Sequence, residues 1–385
     1  MSASRVLFAI PSLDQDGPDR VMFELLSALD RRRFHPSLLV SSLTGHYLSR
    51  LPADVPLTIL GDAEARRYPY RKALREVRSQ RPDIVFTTLR MNVTMGLIRP
   101  MFPRGTKLVV RQANDFSSDF AELVKRSLVK HRMARELTKV ALRMADAVVC
   151  QSEWMKADLS RLLGDGGRLE AIGNPIDVST ITQLAARSAV HPRGAPALVS
   201  VGRLASQKGH DVLLDALAVL RPKHPRLHLT VFGEGAEKEA LLRQRDRLGL
   251  TDLVTFAGFS EHVVPAVAAA DLFVLGSRYE GFPNAALEAL ACGTPVVLTR
   301  CPGANATIVR AGVNGELATS VSAEALAQAL DRAVGALATF SRHAIIADVE
   351  QRFSAKRIVG LYEDLFTRVI AGPSLRRSPT RWRAS

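Results

Sequence analysis

The stretch Ser277-Arg-Tyr-Glu-Gly-Phe-Pro-Asn-Ala-Ala-Leu-Glu-Ala-Leu-Ala-Cys-Gly-Thr-Pro-Val-Val297 decides how the rest of the chain is read. Before it, Asp271-Leu-Phe-Val-Leu-Gly276 predicts a buried strand, and Thr294-Pro-Val-Val-Leu298 predicts the next one. Between them, Asn284 to Cys292 is rich in Ala, Leu and Glu and reads as a helix, with Pro283 at its entry and Gly293 at its end. The loop Glu280-Gly-Phe-Pro-Asn284 therefore falls at the carboxyl end of a strand and the amino end of a helix. The first amides of a helix lack internal partners, so this place suits an anion such as a diphosphate. Gly281 lets backbone approach a ligand closely. Glu280 and Glu288, with seven residues between them, can accept hydrogen bonds from ligand hydroxyls on either side of a phosphate. Alone, such a pair would read as two solvated glutamates; the surrounding Tyr-Glu-Gly-Phe-Pro-Asn context changes that reading.

Working outward, the same alternation fills the chain. Strands are predicted at Arg5 to Ile10, Pro36 to Val40, Leu57 to Leu60, Asp83 to Thr87, Lys107 to Arg111 and Ala147 to Cys150. Helices are predicted at Arg20 to Leu29, Tyr70 to Gln80 and Ala121 to Met144. After a change of pattern at Ile172 to Gly194 and a linker-like His191-Pro-Arg-Gly-Ala-Pro196, strands recur at Ala197 to Val201, His228 to Phe232, Val254 to Phe256, Leu272 to Leu275 and Val296 to Leu298. The class is α/β, with parallel, doubly wound sheets. With 385 residues there is length for two cores. The expected organisation is a first Rossmann-like domain over 1–185, a second over 195–350, a crossing helix over 351–370 and a basic, disordered tail over 371–385.

Hydrophobic residues make up 47% of the chain, and no eighteen-residue apolar run occurs, so no spanning helix is expected. The start, Met-Ser-Ala-Ser-Arg, leads straight into a strand without a signal-peptide layout. Three cysteines without metal-ligand spacing fit a reducing cytoplasm. The net charge of +14 calls for an anionic partner.

The stretch around Glu280 resembles the retaining glycosyltransferases of the GT-B fold, specifically family 4, whose signature is Glu-x7-Glu within Glu-Gly-Phe-Pro-Asn. A second signature, Gly202-Arg-Leu-Ala-Ser-Gln-Lys-Gly209, lies upstream at the family's separation, and weaker similarity runs from Arg5 to about Phe366. The resemblance implies two facing Rossmann-like domains, the second holding a nucleoside diphosphate sugar (a UDP-sugar is expected) and the first an acceptor. It implies that Arg203 and Lys208 clamp the diphosphate and that Glu280 binds sugar hydroxyls, these three forming the catalytic set. Glu288 would hold the ribose, and Gly281, Phe282, Pro283, Asn284 and Ala285 would cover sugar and phosphates. Gly202 and Gly233, the latter within Phe232-Gly-Glu-Gly235, would line the donor cleft, while Gly258 and Phe259 fall where the family meets the base. Phe353 to Leu365 resembles the family's helix that crosses back to the first domain, and Gly173-Asn-Pro-Ile-Asp177 its Asn-x-x-Asp turn.

Two departures stand out. The family's Gly-Gly in the first loop is here Asp16-Gly17-Pro18, in which Gly17 can still approach the donor phosphate. On the acceptor side, Arg111 and Asn114 match an Arg-Glu-x-Asn subgroup found among polysaccharide and lipid-linked oligosaccharide enzymes, but Gln112 replaces the acid. Asp14-Gln-Asp16 is a literal Asp-x-Asp, yet in a first loop it reads as solvated, and no metal or other cofactor is expected. No Gly-x-Gly-x-x-Gly follows a strand, which argues against a dehydrogenase, and no base is placed near Ser277 for a hydrolytic triad. Basic helices at Arg66 to Arg78 and Lys125 to Arg135 point to an anionic membrane surface rather than to specific nucleic acid.

The expected protein is thus a cytoplasmic, peripherally membrane-associated transferase of cell-envelope glycan synthesis. It would act on a lipid-phosphate-linked or glycan acceptor. The alternatives are an epimerase or phosphorylase of the same architecture, or a non-enzymatic sugar-nucleotide-binding relative.

Overall fold

A computed structural model of the protein describes residues 3–13, 17–42, 45–61, 70–113, 117, 128–164, 168–186 and 196–372. Within them the first half alternates strands and helices: β1 Ser4–Ile10, α1 Gly17–Ala28, β2 Phe34–Val40, β3 Leu57–Ile59, α2 Tyr70–Gln80, β4 Ile84–Thr88, α3 Met91–Ile98, β5 Lys107–Arg111, α4 Leu128–Arg143, β6 Ala147–Cys150, α5 Glu153–Leu163 and β7 Leu169–Ala171. These strands form one parallel sheet in the order β3-β2-β1-β4-β5-β6-β7. The chain then runs through α6 Val178–Ala185, β8 Ala197–Val201, α7 His210–Leu220, β9 His228–Phe232, α8 Lys238–Arg247, β10 Val254–Gly258, α9 Val264–Ala269, β11 Leu272–Leu275, α10 Asn284–Ala291, β12 Val296–Leu298, α11 Asn305–Ile308, β13 Gly315–Leu317, α12 Ala323–Gly335, α13 Arg342–Phe353 and α14 Ala355–Ala371. The second sheet, also parallel, has the order β10-β9-β8-β11-β12-β13.

Both sheets are covered on two faces, which is why their central strands are continuously apolar. Along β1 the side chains alternate: Val6, Phe8 and Ile10 join the core under α1, while Leu7 and Ala9 join the core with Ala73, Val77, Met91, Met95 and Leu142 of the opposite helices. The last helix belongs to the first of these cores. Ile358, Val359, Tyr362, Leu365 and Phe366 of α14 are buried there, and Phe86 of β4 meets both Tyr362 and Phe366 edge to face, at 5.5 and 5.4 Å.

The change of sheet falls earlier than the expected boundary at 185. Ile176, Val178 and Ile181 are buried with the second sheet's core beside Val267 and Phe273, because the apolar face of α6 docks there and not on the first sheet. The outgoing and returning chains cross at one place, where Ile176 bridges Ser354. The expected linker and tail lie outside the described residues, apart from Pro196, Ala371 and Gly372. So do positions 66–69 and 125–127, the leading parts of the two basic stretches.

Candidate active site between the two sheets

The carboxyl ends of β8 and β11 carry the two motif loops side by side. Gly209 has φ +60°, and a Cβ there would lie 1.9 Å from the carbonyl oxygen of Gly276, so only glycine lets the two backbones meet. The loops are then tied by Arg278, which donates to the Ser206 carbonyl at 2.8 Å and pairs with Asp211 on α7 at 2.8 Å. Burial alone would raise the Asp211 pKa, but the Arg278 guanidinium holds it below the usual carboxylate range. Neighbouring strand ends complete a glycine-lined floor: Gly233 donates to the Gly258 carbonyl at 2.8 Å and packs against the Gly202 carbonyl.

On this frame Lys208 and Glu280 face each other. The lysine stem runs over Gly202, and its Nζ donates to both Glu280 oxygens, at 2.7 and 3.0 Å. Ser277 donates to Glu280 Oε1 at 2.6 Å, and the Glu280 amide donates to the Pro302 carbonyl at 2.9 Å. Only 3% of Glu280 is exposed, so its carboxylate relies on the Lys208 ammonium and the Ser277 hydroxyl. Arg203 is exposed beside them. From Glu280 the chain enters α10 through Pro283 at the N-cap, and Gly293 closes the helix at φ +77°. Phe282 is buried edge to face on Phe353 at 5.7 Å.

The first sheet meets this loop at three points. A Cβ on Gly281 would lie 2.1 Å from the Ala113 carbonyl oxygen, so here too the close approach of backbone requires glycine. Gly17 opens α1 directly against the Asn284 side chain. One turn into α1, Arg20 forms an ion pair with Glu288 of α10. Burial would lower the Arg20 pKa, but Glu288, Tyr47 and Glu24 more than compensate and raise it. Glu24 is itself shifted up, by burial first and by Asp177 next, against the pull of Arg20 and Arg50.

Most of the catalytic and donor-side residues read from the sequence therefore line one cleft; at its base end Gly258 sits at φ +77° and Phe259 is 64% exposed. Ala285 is half-buried on α10. Arg111 is different. Expected on the acceptor side, it is wholly buried, with its guanidinium against Asn174 at 2.6 Å and next to Tyr362. Burial lowers its pKa, while Tyr362 and Asp19 oppose that shift. The residue is placed beneath the cleft because α14 returns over it, and in this structure it offers no surface to an acceptor. Asn114, Asp14 and Asp16 lie outside the described residues. Among the described residues, no three His, Cys, Asp or Glu side chains are grouped to hold a metal. Arg20 and Asn174 join the site without having been singled out as site residues, although Asn174 lay in a recognised turn.

Comparison with known proteins places this geometry. The family profile for Glycosyltransferase Family 4 matches residues 15–180, and that for Glycosyl transferases group 1 matches residues 183–336. The chain belongs to glycosyltransferase family 4. In this family setting, the chain is 32% identical over 192 residues to the lipopolysaccharide core biosynthesis glycosyltransferase LpsE of Rhizobium meliloti, covering 50% of this chain and 55% of that protein. It is 28% identical over 300 residues to the Campylobacter jejuni N-acetylgalactosamine-N,N'-diacetylbacillosaminyl-diphospho-undecaprenol 4-alpha-N-acetylgalactosaminyltransferase, covering 75% of this chain and 79% of that one. The matches span 55%, 24%, 25% and 42% of the length of several curated relatives, so for these the likeness is to about half of the protein or less. Among solved structures, Anabaena Alr3699/HepE in complex with UDP superposes with a TM-score of 0.74 at 21% identity, over 94% of this chain and 99% of that one. The shared fold is GT-B.

Proposed function

We propose that the protein is a retaining glycosyltransferase that moves a sugar from a nucleoside diphosphate sugar, with UDP-sugar the first candidate, to a lipid-linked or polysaccharide acceptor in cell-envelope glycan synthesis. The observation that carries this reading is the buried Lys208–Glu280 pair, set between the glycine floor and the amino end of α10. A lysine has three N–H donors. Two are spent on Glu280, which aims the ammonium and leaves the third for an incoming phosphate. Arg203 adds a second cation at the same loop. Together with the positive amino end of α10 these groups meet the charge that grows on the leaving diphosphate, so the reading needs no metal.

In this mechanism the bond from C1 of the sugar to the diphosphate breaks. The acceptor oxygen bonds to C1 on the same face, and its proton passes to the departing phosphate oxygen. Nucleoside diphosphate and a glycoside of unchanged anomeric configuration result. Glu280 binds sugar hydroxyls and Glu288 the ribose, so Arg20 must share Glu288 with the donor. The polysaccharide and lipid-linked context draws support from the printed activities of LpsE and the Campylobacter enzyme.

Peripheral attachment to the inner face of the membrane belongs to the same proposal. Met133, Leu137, Val140 and Met144 are all exposed and follow one another at helical spacing along α4 and its end, with exposed Arg132 and Arg143 beside them. No helix among the described residues is long and apolar enough to cross a bilayer. Calorimetry and turnover assays with UDP-, GDP- and ADP-sugars, run with excess chelator, test the donor reading. Binding and slow donor hydrolysis are expected for at least one of them. Indifference to the whole panel would refute it.

A further inference from the structure

A chain of three polar side chains runs from the first sheet to the donor loop, and its direction is fixed by chemistry. It begins at Arg111, the last residue of β5, which is completely buried. A guanidinium can only donate. The atom of Asn174 that meets it at 2.6 Å must therefore be the carbonyl oxygen Oδ1. That choice turns the Asn174 Nδ2 away, and it donates to Asn284 Oδ1 at 2.7 Å. With its oxygen so engaged, Asn284 has Nδ2 on the other side, the side of Gly17, where a Cβ would come within 2.5 Å of it. Asn174 is 2% exposed, so water does not compete for either of its bonds.

We infer that Arg111 and Asn174 are positioning residues that set the polarity of the Asn284 amide, so that an N–H donor, and not a carbonyl oxygen, faces the donor diphosphate in the cleft between Gly17 and α10. The inference rests on the proposed nucleotide-sugar reading and deepens it. An isolated asparagine side chain can present either end, since its two ends are nearly the same shape. Here the orientation is decided two side chains away, by a group that cannot accept. The burial of Arg111, which disagrees with a direct role in holding the acceptor, is accounted for by this task. The chain also links three parts of the molecule: β5 of the first sheet, the crossing turn at Asn174, and the first residue of α10 on the second. The Tyr362 phenol of α14 acts on the same guanidinium.

The sharpest perturbation is Asn174→Asp, which keeps size and shape. The introduced carboxylate still accepts from Arg111 but cannot donate to Asn284. The Asn284 amide then rotates, Nδ2 toward that carboxylate and Oδ1 toward the ligand, setting an oxygen against phosphate oxygens. Affinity is measured by calorimetry for UDP, or for GDP or ADP if the wild type prefers one of these, and by ligand-observed NMR for the matching nucleoside. A charge-assisted hydrogen bond is lost, so diphosphate affinity should fall by about tenfold or more while nucleoside affinity stays at the wild-type value. In an Asn284→Ala background the same Asn174→Asp change should have no further effect on diphosphate affinity, because the group it rotates is gone. Thermal unfolding of each variant controls for misfolding. Unchanged diphosphate affinity in Asn174→Asp, or an equal loss in the Asn284→Ala background, overturns the inference while leaving the donor reading in place. A wild type that binds none of the three diphosphates overturns both.

Discussion

Removing the ammonium of Lys208 should unbalance the site more than removing the pair does. In Lys208→Ala, the Glu280 carboxylate loses two donors, at 2.7 and 3.0 Å, and keeps Ser277 and its own surroundings. The carboxylate side chain is only 4% exposed and the lysine 19%, so water recovers little of the loss at the glutamate. Breaking a buried pair from one side costs about 3–5 kcal/mol, and the partial exposure of Lys208 argues for the lower end, about 3 kcal/mol. Glu280→Gln leaves the ammonium facing an amide but nearer to water, so its cost should be smaller, about 1–2 kcal/mol. The double variant Lys208→Ala/Glu280→Gln removes both charges. Its destabilisation should therefore fall short of the sum by about 1.5–3 kcal/mol. Urea unfolding with an unchanged slope measures all three values. Additivity within about 0.5 kcal/mol would show that the two groups do not stabilise each other, and the picture of Glu280 aiming Lys208 would be wrong. In turnover, Glu280→Gln and Lys208→Ala should each lose about 100- to 1,000-fold, the scale seen when one electrostatic group is withdrawn from a transition state.

Three further outcomes follow from the same structure. His210, buried at the start of α7, has its pKa pulled down to about 4 by burial and by Lys208. Its neutral form is favoured by folding, so the stability it contributes is present above about pH 6.5 and is lost as pH falls toward 4; thermal unfolding should show about 3 kcal/mol less stability at pH 4 from this group, and His210→Phe should flatten that part of the profile. Cys150, Cys292 and Cys301 are free, buried and each pushed up to about 12, chiefly by burial, so a maleimide should leave the native protein unlabelled at about pH 7.5 and label all three in denaturant. Anionic vesicles should carry the protein in flotation assays at low salt. Met133→Ser together with Leu137→Ser should weaken flotation without altering UDP binding, and flotation unaffected by both would refute α4 as the membrane face.

Much of the fold was legible because buried parallel strands read as uninterrupted apolar runs. Lys107–Arg111, Ala147–Cys150, Ala197–Val201, His228–Phe232, Leu272–Leu275 and Val296–Leu298 all occur where the pattern places them. Among the elements that the pattern did not single out, some were short or lacked an amphipathic signature. β7 and β13 have three residues each, and α3 is buried along most of its length, with Gly96 pressed on Ala141 of α4. The donor loops were readable because each motif is local in sequence. The contacts that join the two halves are not local. Arg20 meets Glu288 across 268 positions, and Asn174 meets Asn284 across 110, so neither pairing leaves a spacing to detect. Arg111 was misplaced for a related reason: the residue that covers it, Tyr362, comes from a helix at the other end of the chain.

The central claim is that sugar leaves a nucleoside diphosphate and reaches the acceptor with its configuration kept. It is tested most directly by following one turnover in the NMR spectrometer, with the nucleotide sugar that binds best, chelator in excess and a lipid-phosphate or glycan acceptor analogue. The account predicts that nucleoside diphosphate is released in step with a new glycoside whose anomeric coupling matches that of the donor, an α-linked donor giving an α-linked product. A product of inverted configuration, a free sugar phosphate in place of nucleoside diphosphate, or an intact donor after prolonged incubation would contradict it.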